Sequence, residues 1–272
     1  MILVLQSLCQ YYNIRFVIAE ATGLDITEKK VLLKNRTPIF YDTISINTGG
    51  ENNLELIPGA KQFSIPAKPI SNFIHLIDKI RSKIHSNDKL KIRVIGGGAG
   101  SIEIALSINQ LMLNHYPQKK YGISIISKNK KLLKLHSKST QKNVFKHLKK
   151  EKIEYYLGYE VKKILFDKIE TDQKLAIKSD LTFLVTDISA PKWLKQTKLK
   201  LSNYGFIEIN PFLQSINNEN VFASGDVSNR EDIFIPKAGV FAVRQGKVLA
   251  NNIRNYILNK RLKKYRPQRY YL

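Results

Sequence analysis

The 272-residue sequence predicts an α/β fold with a parallel sheet, and three observations carry that expectation. Apolar, β-branched segments alternate along the chain with segments whose apolar residues recur every three to four positions. KLKIRVIGGGAGSIEIALSINQLML, residues 89–113, reads as a buried strand, a glycine turn and a helix. NVFASGD, residues 220–226, ends another apolar strand in Gly225-Asp226, shortly before PKAGVFAVRQG opens a long helix.

The elements follow in order. Leu3, Leu5 and Leu8 suggest the end of a helix running into a strand, RFVIAEATG, so that the first residue is expected inside a packed element. This N-terminal stretch lacks the basic region and small-residue cleavage site of a signal peptide. No stretch approaches the ~18 continuous apolar residues of a membrane span. KKVLLKN and TISIN are strands, the second leading into Gly49-Gly50. Pro66 and Pro69 mark a connection, and Ser71 caps a helix with Phe73, Ile74, Ile77, Ile80 and Ile84 on one face and Asp78 and Lys79 off it. Beyond the glycine turn, YGISIIS is a strand, HSKSTQKNVFKHLKKEK a basic amphipathic helix, and IEYYLGYEVKKILF two strands around Gly158. DLTFLVT, FIEI and NVFASGD are further strands, and the last helix runs from Ala238 to Asn259.

The formal net charge of +23 would by itself suggest nucleic acid or an anionic membrane. Of the 45 basic residues only 10 are arginine, and the lysines are scattered among Ile and Asn rather than gathered in one arm. With no nucleic-acid-binding motif beside the charge, no nucleic-acid partner is expected. The sole cysteine, Cys9, excludes an intramolecular disulfide and a CxxC redox pair, and fits a cytoplasmic chain. The five histidines, at 75, 85, 115, 136 and 147, have no metal-ligand spacing with it, so no metal site is expected.

VIGGGAGSIEIA, residues 94–105, places Gly96-x-Gly98-x-x-Ser101 between strand and helix, the context a dinucleotide fingerprint needs. Gly96 allows the tight turn, Gly98 leaves room for a pyrophosphate, and the helix N-terminus offers N–H groups and partial positive charge to the anion. Ser101 stands where a third Gly or Ala is usual. Glu103 faces either a nicotinamide or solvent. An acidic residue at the end of the second strand normally binds the adenosine ribose of NAD. Here the strand ends at Ser127, followed by Lys128, Asn129, Lys130 and Lys131, which leans toward NADP or toward no nicotinamide.

YDTISINTGG, PAKP, IRVIGGGAGSIEIA, VFASGDV and PKAGVFAVRQGKVLANNIRNYILNKRLKKYRPQ together resemble the pyridine-nucleotide-dependent FAD oxidoreductases. Within them the sequence is most similar to the type II NADH dehydrogenase and sulfide:quinone reductase branch, and more narrowly to the flavoprotein module joined to selenide, water dikinase. The resemblance implies two Rossmann-like dinucleotide-binding domains and the cofactors FAD and NAD(P)H. It implies that Gly225 and Asp226 meet the ribityl and phosphate region of FAD, that the backbone of Ala238, Gly239 and Val240 faces the flavin N1 and O2 side, and that Gly49 lies where the chain crosses near the cofactor. Asp187, in VTDISAP, departs from the family's small ATG-like turn.

The family's FAD domain opens with a strand, GxGxxG turn and helix, and by this resemblance those elements would lie upstream of Met1. The resemblance therefore implies an FAD domain incomplete at its N-terminus, with RFVIAEA and NVFASGD flanking a gap. The expected organisation is residues 1–88 as the first part of the FAD domain, 89–203 as the NAD(P) domain and 204–272 as the FAD-domain return segment and C-terminal helix. The leading reading is an FAD-dependent NAD(P)H oxidoreductase with a quinone or similar acceptor, in truncated or split form. Its expected partners are a nicotinamide nucleotide, a polypeptide supplying the missing FAD-binding part, a quinone or the inner face of a membrane, and a second copy of the chain. The alternative is a non-catalytic nucleotide-binding scaffold linked to selenophosphate metabolism, and a third is a nucleic-acid or membrane-surface protein driven by charge.

Overall fold

The computed structural model describes residues 5–52, 54–67, 80, 82, 89–134, 136–185 and 188–268. Helix α1 (Leu5–Tyr11) is followed by strands β1 (Ala21–Asp25), β2 (Lys30–Leu33), β3 (Arg36–Phe40), β4 (Ile44–Ile46) and β5 (Glu51–Asn52). Then come α2 (Ala60–Phe63), β6 (Ile65–Pro66), β7 (Lys89–Ile95), α3 (Ala99–His115), β8 (Lys120–Ser127), α4 (Lys138–Lys150) and β9 (Glu154–Leu157). The chain continues through β10 (Val161–Ile164), β11 (Lys168–Thr171), β12 (Ala176–Lys178), β13 (Leu181–Leu184) and β14 (Ile188–Ser189). It closes with β15 (Ile207–Glu208), β16 (Gln214–Ser215), β17 (Asn218–Ala223), β18 (Ser228–Asn229) and α5 (Gly239–Ile257). The helix expected from Ser71 to Ile84 lies outside the described residues, apart from Ile80 and Ser82, as do Pro69 and Asp187.

Residues 50–189 belong to one compact unit, built on a parallel sheet in the order β6-β13-β7-β8-β9. The glycine-turn strand β7 is central. Leu90, Ile92 and Val94 are fully buried, as expected of a parallel strand covered on both faces. Helix α3 lays Ile102, Ala105, Ile108 and Met112 onto the same core, with Ile123 and Ile125 of β8 and Phe183 of β13. Their spacing of three to four residues is what puts them on one helix face. Ser137 caps α4 by accepting a hydrogen bond from Thr140 N at 3.1 Å. A β10-β11-β12 meander and the antiparallel pair β5-β14 complete the unit.

Residues 1–49 and 190–267 make the other unit. It holds the antiparallel meander β1-β2-β3, a sheet in the order β16-β17-β4, and the parallel pair β15-β18. Strands β4 and β17 run parallel, with Ala223 opposite Ile46. Val221, Phe222, Ala223, Val227 and Leu213 are fully buried in its core.

The chain passes between units at 49/50 and 189/190, whereas boundaries were expected at 88/89 and 203/204. The difference has a bonding cause: β6 pairs with β13 in the five-stranded sheet and β5 with β14 in a separate pair, so residues from Glu51 onward bond within this unit. The expected strand RFVIAEATG is a strand only from Ala21, and its first residues have no regular structure. Ile14, Phe16 and Ile18 are 58%, 41% and 77% exposed, and no residue of α1 is buried, so this stretch is not the packed element expected from its apolar pattern.

Candidate functional site

The two glycine clusters of the sequence occupy different units. In residues 50–189, Gly96 sits at φ +146°, and a Cβ there would stand 2.2 Å from the Val185 carbonyl oxygen. Only glycine tolerates this backbone at this distance. Its N–H donates to Ile126 O at 2.9 Å, which ties the turn to β8. A Cβ at Gly97 would meet the Ser127 hydroxyl at 2.3 Å, so the end of β8 presses on the turn. At Gly98, the N-cap of α3, a Cβ would meet nothing within 4 Å, and no side chain caps the helix. Glycine is needed at Gly96 and Gly97 by the protein's own packing. At Gly98 the space in front of the helix N-terminus is open, the place where a pyrophosphate oxygen would sit.

Ser101 is fully buried, and its hydroxyl donates to Gly98 O at 2.7 Å, pinning the turn from inside the helix. Ser127 is 3% exposed and its hydroxyl accepts a hydrogen bond from Asn129 N at 3.2 Å. Lys128 beside it is exposed. Glu103 lies on an exposed position of α3. The structure thus brings Gly96, Gly98, Ser101, Ser127 and Lys128 around one turn.

The other cluster is assembled from three separated segments. Gly225 has φ +70°, and a Cβ there would meet Asn47 Oδ1 at 2.6 Å and the Ala242 methyl at 3.2 Å. The turn after β17 is thereby pressed between the end of β4 and the first turn of α5. Gly225 N–H donates to Gln245 Oε1 at 2.6 Å, and Gln245 is 2% exposed. Gln245 was not singled out from the sequence, although it lies two helical turns beyond Ala238 and hence on the same face. Asp226 is half-buried. Ala238 is the N-cap of α5 without a side-chain cap, and Gly239 and Val240 begin the helix. Gly49, at φ +73°, faces open space.

Lys237 is the second residue missed in the sequence. Its ammonium donates to Ser228 O and lies 3.9 Å from the centre of the Phe206 ring, a cation–π contact. Burial pushes its pKa down to about 8, against the opposing pull of Asp226. Gly225, Asp226, Lys237, Ala238 and Gln245 share the lining of one small depression. Among the described residues no group of His, Cys, Asp and Glu could hold a metal ion. Nor is any described helix long and apolar enough to cross a membrane.

A family model described as pyridine nucleotide-disulphide oxidoreductase matches residues 7–246. The chain belongs to the pyridine nucleotide-disulphide oxidoreductase family. Among its curated relatives is demethylphylloquinone reductase NdbB of Synechocystis, 24% identical over 246 residues, a match covering 86% of this chain and 60% of that protein. Among solved structures, the sulfide:quinone oxidoreductase of Aquifex aeolicus superposes with a TM-score of 0.77 at 19% identity, covering 92% of this chain and 62% of that one. NDH2 of Plasmodium falciparum, solved in complex with NADH, gives 0.69 at 16% identity, covering 79% of this chain and 50% of that one. The chain thus spans about three fifths of the curated relative, and the likeness to the solved structures is one of fold: α/β with Rossmann-like parallel sheets.

Proposed function

We propose that the chain is part of an FAD-dependent NAD(P)H oxidoreductase that passes electrons to a quinone or similar acceptor. The observation that carries this reading is the presence, in each unit, of an uncapped helix N-terminus behind a close-packed glycine turn. The names of the relatives, a phylloquinone-type reductase and a sulfide:quinone oxidoreductase, support the acceptor class.

The residues fit the groups to different extents. The turn Gly96–Ser101 offers open space and helix N–H groups to a dinucleotide pyrophosphate. The flavin end of FAD fits the Gly225-Asp226 turn and the α5 N-terminus, where Asp226 would accept hydrogen bonds from ribityl hydroxyls. The N–H groups of Gly239 and Val240 point along the helix axis toward the same side, and the helix dipole there favours negative charge. A flavin held there would supply the hydride-accepting and electron-passing chemistry, which no side chain of this unit need provide. The protein's part is to hold and orient, with Gln245 and Asn47 clamping Gly225 and Lys237 adding positive charge beside Asp226. Among the described residues of this unit no GxGxxG turn is available for the adenosine half of FAD. We assign that role to another polypeptide segment, in the same chain or in a partner.

The absorption spectrum of the purified protein tests the reading. A flavin band, bleached anaerobically by a nicotinamide nucleotide and restored by a soluble quinone, is expected once the adenosine-binding segment is supplied. A colourless protein that binds nicotinamide nucleotides with that segment present would favour the non-catalytic scaffold and sink the oxidoreductase reading.

A further inference from the structure

The turn after β8 is tied to the pyrophosphate turn in a way that the sequence does not display. Leu133 N–H donates to Gly97 O at 2.8 Å. Gln141 of α4 donates to Leu133 O at 3.1 Å and to His136 O at 3.0 Å, and Gly158 N–H donates to Asn129 O at 3.2 Å. The segment 128–134 is therefore tied to Gly97 through Leu133, to α4 through Gln141 and to Gly158 through Asn129. It carries Lys128, Lys130, Lys131 and Lys134, all exposed, and no Asp or Glu.

The residue that ends β8 does not offer its hydroxyl outward, because Ser127 is buried and engaged with Asn129 N. What faces outward beside the turn is the Lys128 side chain. Asn129 lies next to it, its Nδ2 3.9 Å from the position of a Cβ on Gly97. A carboxylate at this place would accept the 2′- and 3′-hydroxyls of an NADH ribose, and would repel a phosphate there. A phosphomonoester brings about two negative charges near neutral pH, which clustered ammonium groups favour.

We propose that this unit selects NADPH over NADH through the lysine-rich turn 128–134, with Lys128 meeting the 2′-phosphate. The proposal rests on the reading that Gly96–Ser101 holds a nicotinamide dinucleotide, and the experiment separates the two. Calorimetric titration of the full chain with NADPH and NADH, and with the fragments adenosine 2′,5′-bisphosphate and AMP, should show binding of the 2′-phosphorylated member of each pair at least about tenfold tighter. Raising the salt should shrink that ratio, as expected of exposed charges. Lys128→Glu should bring the ratio to parity or invert it. Lys195→Glu, which changes net charge equally in residues 190–267, should leave the ratio intact and so separates a local site from the general excess of +23. Equal affinity for NADPH and NADH would overturn the selectivity and spare the dinucleotide site. Binding of neither would overturn both. A full NADPH preference surviving Lys128→Glu, or one lost equally in Lys195→Glu, would overturn the assignment to this turn.

Discussion

The two glycine turns share one arrangement, a close-packed glycine before an uncapped helix N-terminus, reached with opposite connectivity. Around Gly96 the strand, turn and helix are consecutive in sequence, from Lys89 to His115, and the turn sits at the centre of a parallel sheet. Around Gly225 the same arrangement is put together from the end of β4, the end of β17 and the start of α5. Contiguous residues need only short loop closure to form such a site, whereas three remote segments must already be folded into place. The first turn should therefore tolerate damage elsewhere better than the second.

Substitutions at the two outer glycines of the first turn sharpen that contrast most. Gly96→Ala forces a Cβ toward the Val185 carbonyl at a positive φ and should destabilise residues 50–189 by about 3 kcal/mol in denaturant unfolding. Gly98→Val adds a side chain only to open space. It should leave the melting temperature nearly unchanged while weakening nicotinamide-nucleotide binding by a hundredfold or more. If Gly98→Val bound nucleotide like the parent in calorimetry, the open space would not be the pyrophosphate's place.

In the second turn, Gln245→Leu removes the acceptor of Gly225 N–H and leaves a partly buried donor without that partner, a loss of about 1 kcal/mol. Hydrogen exchange should report it as faster opening of the 221–227 segment with the protection of β7 and β8 unchanged. Equal loosening of both regions would show that the turns are not independent.

Lys237 supplies a pH test confined to the second unit. Its folded-state pKa of about 8 lies below the ordinary 10.5, so between those values the unfolded chain holds a proton that the folded chain has released. Stability from this group should rise as pH climbs through about 8, and be lost again as pH falls through it. The difference between parent and Lys237→Met in chemical unfolding at pH 7 and 9.5 isolates the effect, and no difference in slope would place Lys237 in a more solvated setting. The smallest effect belongs to the exposed pair Lys34–Glu20, 2.9 Å apart. Glu20→Ala should change stability by less than about 0.5 kcal/mol, and a larger loss would mean that the 14–20 stretch is held more firmly than its exposure indicates.

Much of the unit of residues 50–189 was legible in the sequence because its signals are local. The strand pattern KLKIRVI at 89–95, the glycines, and the spacing of Ile102, Ala105, Ile108 and Met112 are each read within one short stretch of chain. Strand β3 was overlooked because RTPIF carries Arg36 and Pro38, which read as loop but suit a strand at the end of a meander. The meander strands β11 and β12 escaped for a related reason, being short, polar and rich in lysine. The stretch 14–18 erred in the other direction. Its apolar residues read as a packed strand, yet burial needs a facing surface, and a sequence pattern cannot say whether one is present.

The sequence alone determined where the backbone must turn tightly and where helices must begin, since a strand end, a glycine and a helical spacing are properties of neighbouring residues. It therefore placed Gly96, Gly98, Gly225 and the start of α5 without reference to any partner. Only the tertiary structure decided that Gly97 is needed because the Ser127 hydroxyl stands against it, that Leu133 ties a lysine turn to that glycine, and that Gln245 and Asn47 clamp Gly225. Those are contacts between residues far apart in the chain, set by hydrogen-bond direction and close packing at distances of a few ångströms. No periodicity in the sequence records such contacts, because they come into being only when the sheets have brought the segments together.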